Sequence, residues 1–290
     1  NIYRIDLQLG PDTDPKEEAT EAKVRPRITA IVGDAPFRID WMSVYRFRCA
    51  RLNRFVHNRV IFAGDSAHVV SPFGARGGNG GIQDVDNLGW KLALVLQGKA
   101  SPELLESYNE ARVEAADENM FNSACATNFM TPRSSIERLF RDQVLALAAR
   151  HPFARKLINS GRLSQPCVLS GSSLQTSGSA PLSPGHALLD APLTGRAGPA
   201  WLVTEAQGRF TLVTANDQPL PDITGIERIG IDQAESCYPC FADSEGCFKA
   251  RYGTAHIYLF RPDGHVCAVF DTPDVDAIVT AHNRAMGATQ

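Results

Sequence analysis

Residues 59–92 read RVIFAGDSAHVVSPFGARGGNGGIQDVDNLGWKL, and the order of residue types in this stretch decides the fold class. Val60, Ile61, Phe62 and Ala63 form a short apolar run, which predicts a strand buried on both faces, ending at Gly64-Asp65 with a carboxylate at its C-terminal edge. Gly74, Gly77, Gly78, Gly80 and Gly81 then crowd a loop that also holds Pro72 and Asn79. Glycine costs backbone entropy, so it accumulates where the chain turns tightly or approaches a ligand closely. Apolar residues recur at Ile82, Val85, Leu88, Leu92 and Val95, predicting a helix with one buried apolar face. Bare backbone feeding a helix N-terminus suits an electron-rich group, whereas a tight structural loop is the plainer account of a glycine cluster.

Outward from this stretch, the chain of 290 residues has room for two domains, and strand, glycine loop and helix in succession place it in the α/β (α+β) class. Its 29 basic and 32 acidic residues leave a formal charge of -3 with no basic face, which suggests neither a nucleic acid nor an anionic membrane as partner. No apolar run approaches a membrane span and no signal-peptide pattern opens the chain, so the expected compartment is cytoplasmic. Seven thinly spread cysteines fit reduced thiols better than a disulfide framework.

The order G-D-S-A-H, S-P-F-G, G-x-N-x-G, D-x-D-N-L, W-K-L resembles the second FAD signature of the para-hydroxybenzoate hydroxylase family of single-component flavin monooxygenases. Within that family it is similar to the phenolic hydroxylases of the 3-(3-hydroxyphenyl)propionate hydroxylase type, which carry an extra thioredoxin-like C-terminal domain. The resemblance implies that Asp65 binds the ribityl hydroxyls of FAD, with Gly64 letting the backbone come close. It puts Pro72 and Gly74 beside the reactive edge of the flavin and the main chain of Gly77, Gly78 and Asn79 at its pyrimidine end. The implied reaction hydroxylates a small phenolic substrate with FAD, NAD(P)H as co-substrate and dioxygen. Ser71 stands where the family often has a first proline, while the second is kept as Pro72. His68 reads as a structural member of the motif and Arg76 as a solvated loop charge.

A dinucleotide needs G-x-G-x-x-G after a first strand, yet Gly78 and Gly80 supply the only G-x-G and the third place falls on Gln83. The expectation is therefore the C-terminal part of a longer flavoprotein whose missing N-terminal part completes the site, with FAD held weakly and no turnover by this part alone. Residues 1–163 are expected to be the rest of the FAD/substrate-binding domain, 164–184 a linker rich in Ser, Gly and Pro, and 185–290 the thioredoxin-like domain.

Ile2 to Leu9 alternates like a sheet strand, followed by a turn cluster from Gly10 to Pro15 and a short helix within Lys16 to Val24. Phe37 to Arg51 also alternates, making Trp41, Ser43 and Tyr45 candidate substrate-pocket residues under the family's layout. Helices are expected from Ser101-Pro102, with Leu104, Leu105, Tyr108, Ala111 and Ala115 inward, and from the capping box at Ser134, with Ile136, Phe140, Val144 and Leu147 inward. Strands are expected at 200–203, 209–215, 226–231, 256–260 and 266–270, and a helix at 274–286. Cys237-Tyr238-Pro239-Cys240 raises thiol-disulfide exchange as an alternative, disfavoured because the pair follows a later strand and promises no helix to lower a thiol pKa. Cys247 and His256 complete no regular metal spacing. A further alternative is a non-catalytic assembly module that forms a homodimer.

Overall fold

The computed structural model describes residues 2–10, 12–159, 165–233 and 237–288, and these fall into two compact units divided between Arg48 and Cys49. Asn1 of the expected first strand, Pro11 of the turn cluster and the 163/164 boundary lie outside the described residues.

The first unit holds two helices, α1 (Pro15–Glu18) and α2 (Glu21–Val32). Asp14 caps α1 by accepting from the Lys16 amide at 2.8 Å, and Gly33, at φ 66°, ends α2. Residues 2–10 and 37–49, both expected to be strands, form none. Alternation describes two faces, but a strand also needs a neighbour to take its N–H and C=O groups, and neither segment has one among the described residues of this unit.

The second unit opens with two small antiparallel pairs. β1 (Ala50–Arg51) pairs with β4 (His68–Val69), and β2 (Val56–His57) folds onto β3 (Val60–Ile61) across Asn58, whose φ of 54° suits a two-residue hairpin turn. The expected doubly buried strand at 60–63 is thus the two-residue arm of a hairpin, with Val60 56% exposed. Only one side of that hairpin is covered, by a cluster of Phe55, Val56, Ala67, Tyr108 and Ala116.

Four helices follow: α3 (Arg76–Leu96), α4 (Glu106–Met130), α5 (Ser135–Ala148) and α6 (Pro152–Asn159). A 3-10 turn at Pro102–Leu105 precedes α4, which buries Tyr108, Ala111 and Ala115 as its spacing predicts. The capping box of α5 forms, with Glu137 N–H donating to Ser134 Oγ at 3.1 Å and Ser134 N–H to Glu137 Oε2 at 2.9 Å. Of its expected apolar face only Val144 is buried; Ile136, Phe140 and Leu147 are exposed, because the side of α5 that carries them is uncovered.

The Ser/Gly/Pro-rich stretch buries more than its composition suggests. Cys167 and Leu169 pack on Ala111 and Ala115 of α4, while Leu182 joins the core of the following sheet. Backbone bonds from Thr176 to Cys267 O and from Gly185 to Val266 O, at 2.8 and 2.9 Å, lash this strap to the sheet's edge.

Beyond the strap lie the hairpin β5 (Pro192–Gly195) and β6 (Gly198–Trp201), α7 (Leu202–Ala206), β7 (Phe210–Thr214), β8 (Ile226–Ile231), β9 (Cys240–Phe241), α8 (Cys247–Tyr252), β10 (Ile257–Phe260), β11 (Val266–Phe270) and α9 (Val275–Ala285). The expected strand at 200–203 is split, since a short apolar run serves a strand end or a buried helix start equally well. The five-stranded sheet runs β11-β10-β7-β8-β9, with β7, β8 and β9 parallel and β10 and β11 antiparallel. Period-two alternation sorts its side chains into two apolar layers: Ile257 and Leu259 join Phe210, Leu212 and Ile278 on one face, and Tyr258 and Phe260 join Val213, Phe248 and Tyr252 on the other. Cys240 sits in edge strand β9 and no helix opens at Cys237, so this C-x-x-C lacks the helix N-terminus that activates a redox thiol. No disulfide joins any of the seven cysteines among the described residues.

Leu212 lies fully buried between the strands and α9. Leu212→Ala is expected to cost about 2–5 kcal/mol, while Ile136→Ala, on the uncovered face of α5, should stay within about 0.5 kcal/mol. Urea midpoints of the two variants check this difference.

Candidate functional site

After β3 the chain makes a 3-10 turn at Gly64–Ser66, with Gly64 at φ 58° and Ser66 Oγ donating back to Ala63 O at 2.7 Å. The Asp65 side chain emerges from this turn into solvent. The next loop is pinned from behind by α4, where Ser71 Oγ meets Ser123 Oγ at 2.7 Å and Thr127 Oγ1 at 2.8 Å. Pro72 is exposed, Ala75 N–H closes a turn on Pro72 O at 3.1 Å, and Gly74 takes φ 89°. Ala75 follows at φ 53°, a left-handed conformation that costs a non-glycine residue about 1–3 kcal/mol and tends to be kept at functional sites.

The helix starts earlier than the glycine content suggests. α3 begins at Arg76, so Gly77, Gly78, Gly80 and Gly81 lie in its first two turns instead of in a loop. Gly77, Gly78 and the exposed Asn79 therefore belong to the end where helix N–H groups and dipole favour negative charge. Asn79 Nδ2 donates to Ala75 O at 2.6 Å, tying the first turn to the strained residue before it. Arg76, read from sequence as a solvated loop charge, is buried within the helix and donates from Nη1 to Asn119 Oδ1 at 2.9 Å. A glycine-rich helix start leaves room for α4 to pack against it, and that covers the arginine.

The glycines divide by what surrounds them. A Cβ on Gly80 would stand 3.2 Å from His68 Cε1, and one on Gly81 would stand 3.3 Å from the Cα of Gly64, so the protein's own packing needs both. A Cβ on Gly78 would meet nothing within 4 Å, and on Gly77 only Val70 at an ordinary 3.7 Å. Glycine in a helix is less favourable than alanine by about 0.8–1.0 kcal/mol, and among the described residues no close neighbour accounts for bare backbone at these two positions.

A buried polar network that sequence reading missed fixes this geometry. Asp84, fully buried on α3, accepts from Arg112 Nε at 2.6 Å and from the Gly64 amide at 2.8 Å, and it lies 2.7 Å from His68 Nε2. Arg112 Nη2 also reaches Gly80 O at 3.3 Å. One carboxylate thereby locks the Gly64 turn, β4, α3 and α4 together. Burial alone would push the Asp84 carboxyl up, but the His68 contact, the Arg112 charge and bond, and the Gly64 amide outweigh it and hold the carboxyl below its ordinary value. The readable sign was Arg112, a charge on the Tyr108-Ala111-Ala115 side of α4 that needs a buried partner. His68 is 3% exposed and serves this network, in keeping with a structural reading.

The apolar rhythm misplaced the buried face of α3. Ile82 and Val85 are 71% and 64% exposed, whereas Asp84, Asn87 and Lys91 are buried. In the first unit, Trp41, Ser43 and Tyr45 are exposed, and the Trp41 and Tyr45 rings lie 6.4 Å apart. Among the described residues no group of His, Cys, Asp and Glu could hold a metal ion, and no helix is long and apolar enough to cross a membrane.

Residues 3–123 match the family model for an FAD binding domain. The chain is 28% identical to a 3-(3-hydroxy-phenyl)propionate/3-hydroxycinnamic acid hydroxylase of Mycolicibacterium gilvum, over 92% of this chain and 51% of that protein. It is 32% identical to the enzyme of that name in Escherichia coli K12, over 76% of this chain and 40% of the relative. Among solved structures, the OxyS anhydrotetracycline hydroxylase of Streptomyces rimosus superposes with a TM-score of 0.65 at 26% identity, covering 93% of this chain and 54% of that one. The chain thus spans about half the length of the curated relatives it matches.

Removing the Asp84 charge leaves Arg112 buried without its carboxylate, so Asp84→Asn should destabilise by about 3–5 kcal/mol at pH 7. A carboxyl held low stabilises the fold above its unfolded pKa of about 4 and loses that contribution as pH falls toward the lower folded value. Urea melts at pH 7 and at lower pH should therefore show the gap between wild type and Asp84→Asn narrowing only on the acid side.

Proposed function

Because residues 3–123 belong to the FAD binding domain family and the chain is a relative of the flavin-dependent aromatic hydroxylases, we propose that residues 59–92 hold the isoalloxazine end of FAD in a monooxygenase that hydroxylates a phenolic compound. The observation that carries this reading is the pair Gly77 and Gly78, glycines in the first turn of α3 that the chain's own packing does not require. Gly77, Gly78 and Asn79 take the pyrimidine end, where the helix N-terminus favours the negative charge of reduced flavin. Asp65 hydrogen-bonds the ribityl hydroxyls, and Gly64, its amide held by Asp84, sets the height of that turn. Pro72 and Gly74 border the reactive edge and keep water from it. Bound FAD, with NAD(P)H as reductant, supplies the dioxygen chemistry; the protein supplies position and exclusion.

Trp41, Ser43 and Tyr45 are assigned to the aromatic substrate, supported by the exposed Trp41–Tyr45 ring pair. Contacts to adenine and pyridine nucleotide are assigned to the half of the relatives' length that this chain does not match. The division into 1–163, 164–184 and 185–290, with a thioredoxin-like last domain, draws support from parallel β7 and β8 followed by the antiparallel β10–β11 pair and a closing helix. A cytoplasmic location goes with this reading. A second reading, assembly with a second copy, rests on the uncovered stripe of Ile136, Leu139, Phe140 and Phe153 along α5 and α6, and sedimentation of the chain with and without Phe140→Glu tests it.

Titration with FAD, followed through backbone amide shifts, should move Gly64, Asp65 and residues 74–79 and leave the sheet unmoved. Gly78→Leu should weaken that response by at least about tenfold, the equivalent of 1.4 kcal/mol, while its urea midpoint matches or exceeds wild type. An unchanged FAD response in Gly78→Leu would remove the assignment.

A further inference from the structure

The inward face of α3 carries a second set of polar residues, one and two turns beyond Asp84, and these do not touch the Gly64 turn. Lys91 Nζ donates to Asn87 Oδ1 at 2.8 Å, and Asn87 Nδ2 donates to Asp263 Oδ2 at 2.8 Å. Arg261 grips the same carboxylate with two bonds, Nε to Oδ1 at 3.0 Å and Nη2 to Oδ2 at 2.9 Å. All four side chains are buried, Lys91 completely. Arg261 and Asp263 belong to the tight turn between β10 and β11, so these contacts join the C-terminal sheet to the helix whose first turn carries Gly77 and Gly78.

We propose that the β10–β11 turn is a positioning element for the flavin-facing end of α3, acting through the chain Lys91, Asn87, Asp263 and Arg261. The proposal rests on the reading of Gly77, Gly78 and Asn79 as that flavin-facing end.

Three observations support it. First, the amide of Asn87 works in one orientation only: its oxygen faces an ammonium and its nitrogen faces a carboxylate, so a rotated or slipped helix loses both bonds together. Second, Ile82 and Val85 point outward, Leu88 and Trp90 pack inward only partly buried, and the fully buried side chains in the middle of α3 are the polar Asp84, Asn87 and Lys91. Buried polar contacts are well suited to choosing one register, because every alternative leaves a charge unpaired. Third, an apolar latch lies beside the polar one. Trp90 meets Phe210 of β7 edge-on at 5.6 Å, and the Arg261 guanidinium lies 6.0 Å from the Trp90 ring. An α-helix rises about 1.5 Å per residue, so a one-residue slip at Asn87 would carry Gly77 and Gly78 that far from a ligand that Asp65 still holds. The charges are strongly coupled: burial and Arg261 press the Lys91 ammonium pKa well down, and Arg261 and His265 hold the Asp263 carboxyl well below its ordinary range in spite of burial.

The test compares the full chain with Asp263→Asn, with Lys91→Met, which keeps volume and removes the buried amine, and with Leu193→Ala, which thins the core on the opposite face of the same sheet. Native-state amide exchange is measured for each, with the rates at Gly80 to Val85 normalised to those of β7 in the same protein. Asp263→Asn and Lys91→Met should speed the normalised exchange by about tenfold and reduce the FAD-induced shifts at Gly77 to Asn79, whereas Leu193→Ala should change neither. If one charge variant fails to fold, the other carries the comparison. Normalised rates in the charge variants equal to those in Leu193→Ala would overturn the proposal. Loss of any FAD response in wild type would instead remove the flavin assignment, and the exchange comparison would still decide whether the turn positions α3.

Discussion

A helix that buries Asp84, Asn87 and Lys91 and leaves Ile82 and Val85 outside is the constraint on which the rest of this structure depends. Asp84, Asn87 and Lys91 lie along the buried side of α3 at spacings of three and four residues: Asp84 is held by Arg112 of α4, Asn87 by Asp263 of the β10–β11 turn, and Lys91 donates to Asn87 on the same helix. Burying such groups is costly unless they are paired and hydrogen-bonded, so the pairing fixes the helix in a way that apolar packing alone would not. Where a face of leucines tolerates small rotations, a carboxylate with three partners tolerates few.

That rigidity has a local use. Asp84 sets the Gly64 turn, α4 pins the loop through Ser123 and Thr127, and the strained Ala75 starts the helix, so the backbone from Gly64 to Asn79 is presented in one shape. The glycines serve this arrangement in two ways. Gly64, Gly80 and Gly81 let elements of the protein meet, and Gly77 and Gly78 keep a surface bare. The exposed Ile82 and Val85 flank the same helix, and the relatives contain about as much chain again as is matched here.

In the C-terminal half the longer strands and the last helix were legible, while β5, α7, α8 and the two-residue edge strand β9 were not expected. β8 and β11 fall on the expected residues, and β7, β10 and α9 fall within a residue of theirs, because each carries its own period and its own turn signals. The N-terminal part was less so. Residues 2–10 and 37–49 alternate like strands, but pairing depends on a neighbour that no local pattern specifies. Periodicity misassigned α3 for a related reason: it assumes that apolar residues are the buried ones, and here Asn87 is buried against Asp263, far along the chain, and Lys91 against Asn87. The site motif was readable in order and spacing. The network that holds it was not, since Arg112, Asp84 and His68 come together only in the fold.

The central claim is that side-chain-free backbone at the start of α3 and the carboxylate of Asp65 face the same flavin. A crystal structure of the flavin-loaded protein tests it most directly. The account predicts the pyrimidine edge of the ring against the amides of Gly77, Gly78 and Asn79, with the ribityl chain alongside Asp65. Flavin density elsewhere, or a protein side chain lying across Gly78 in the loaded state, would contradict it.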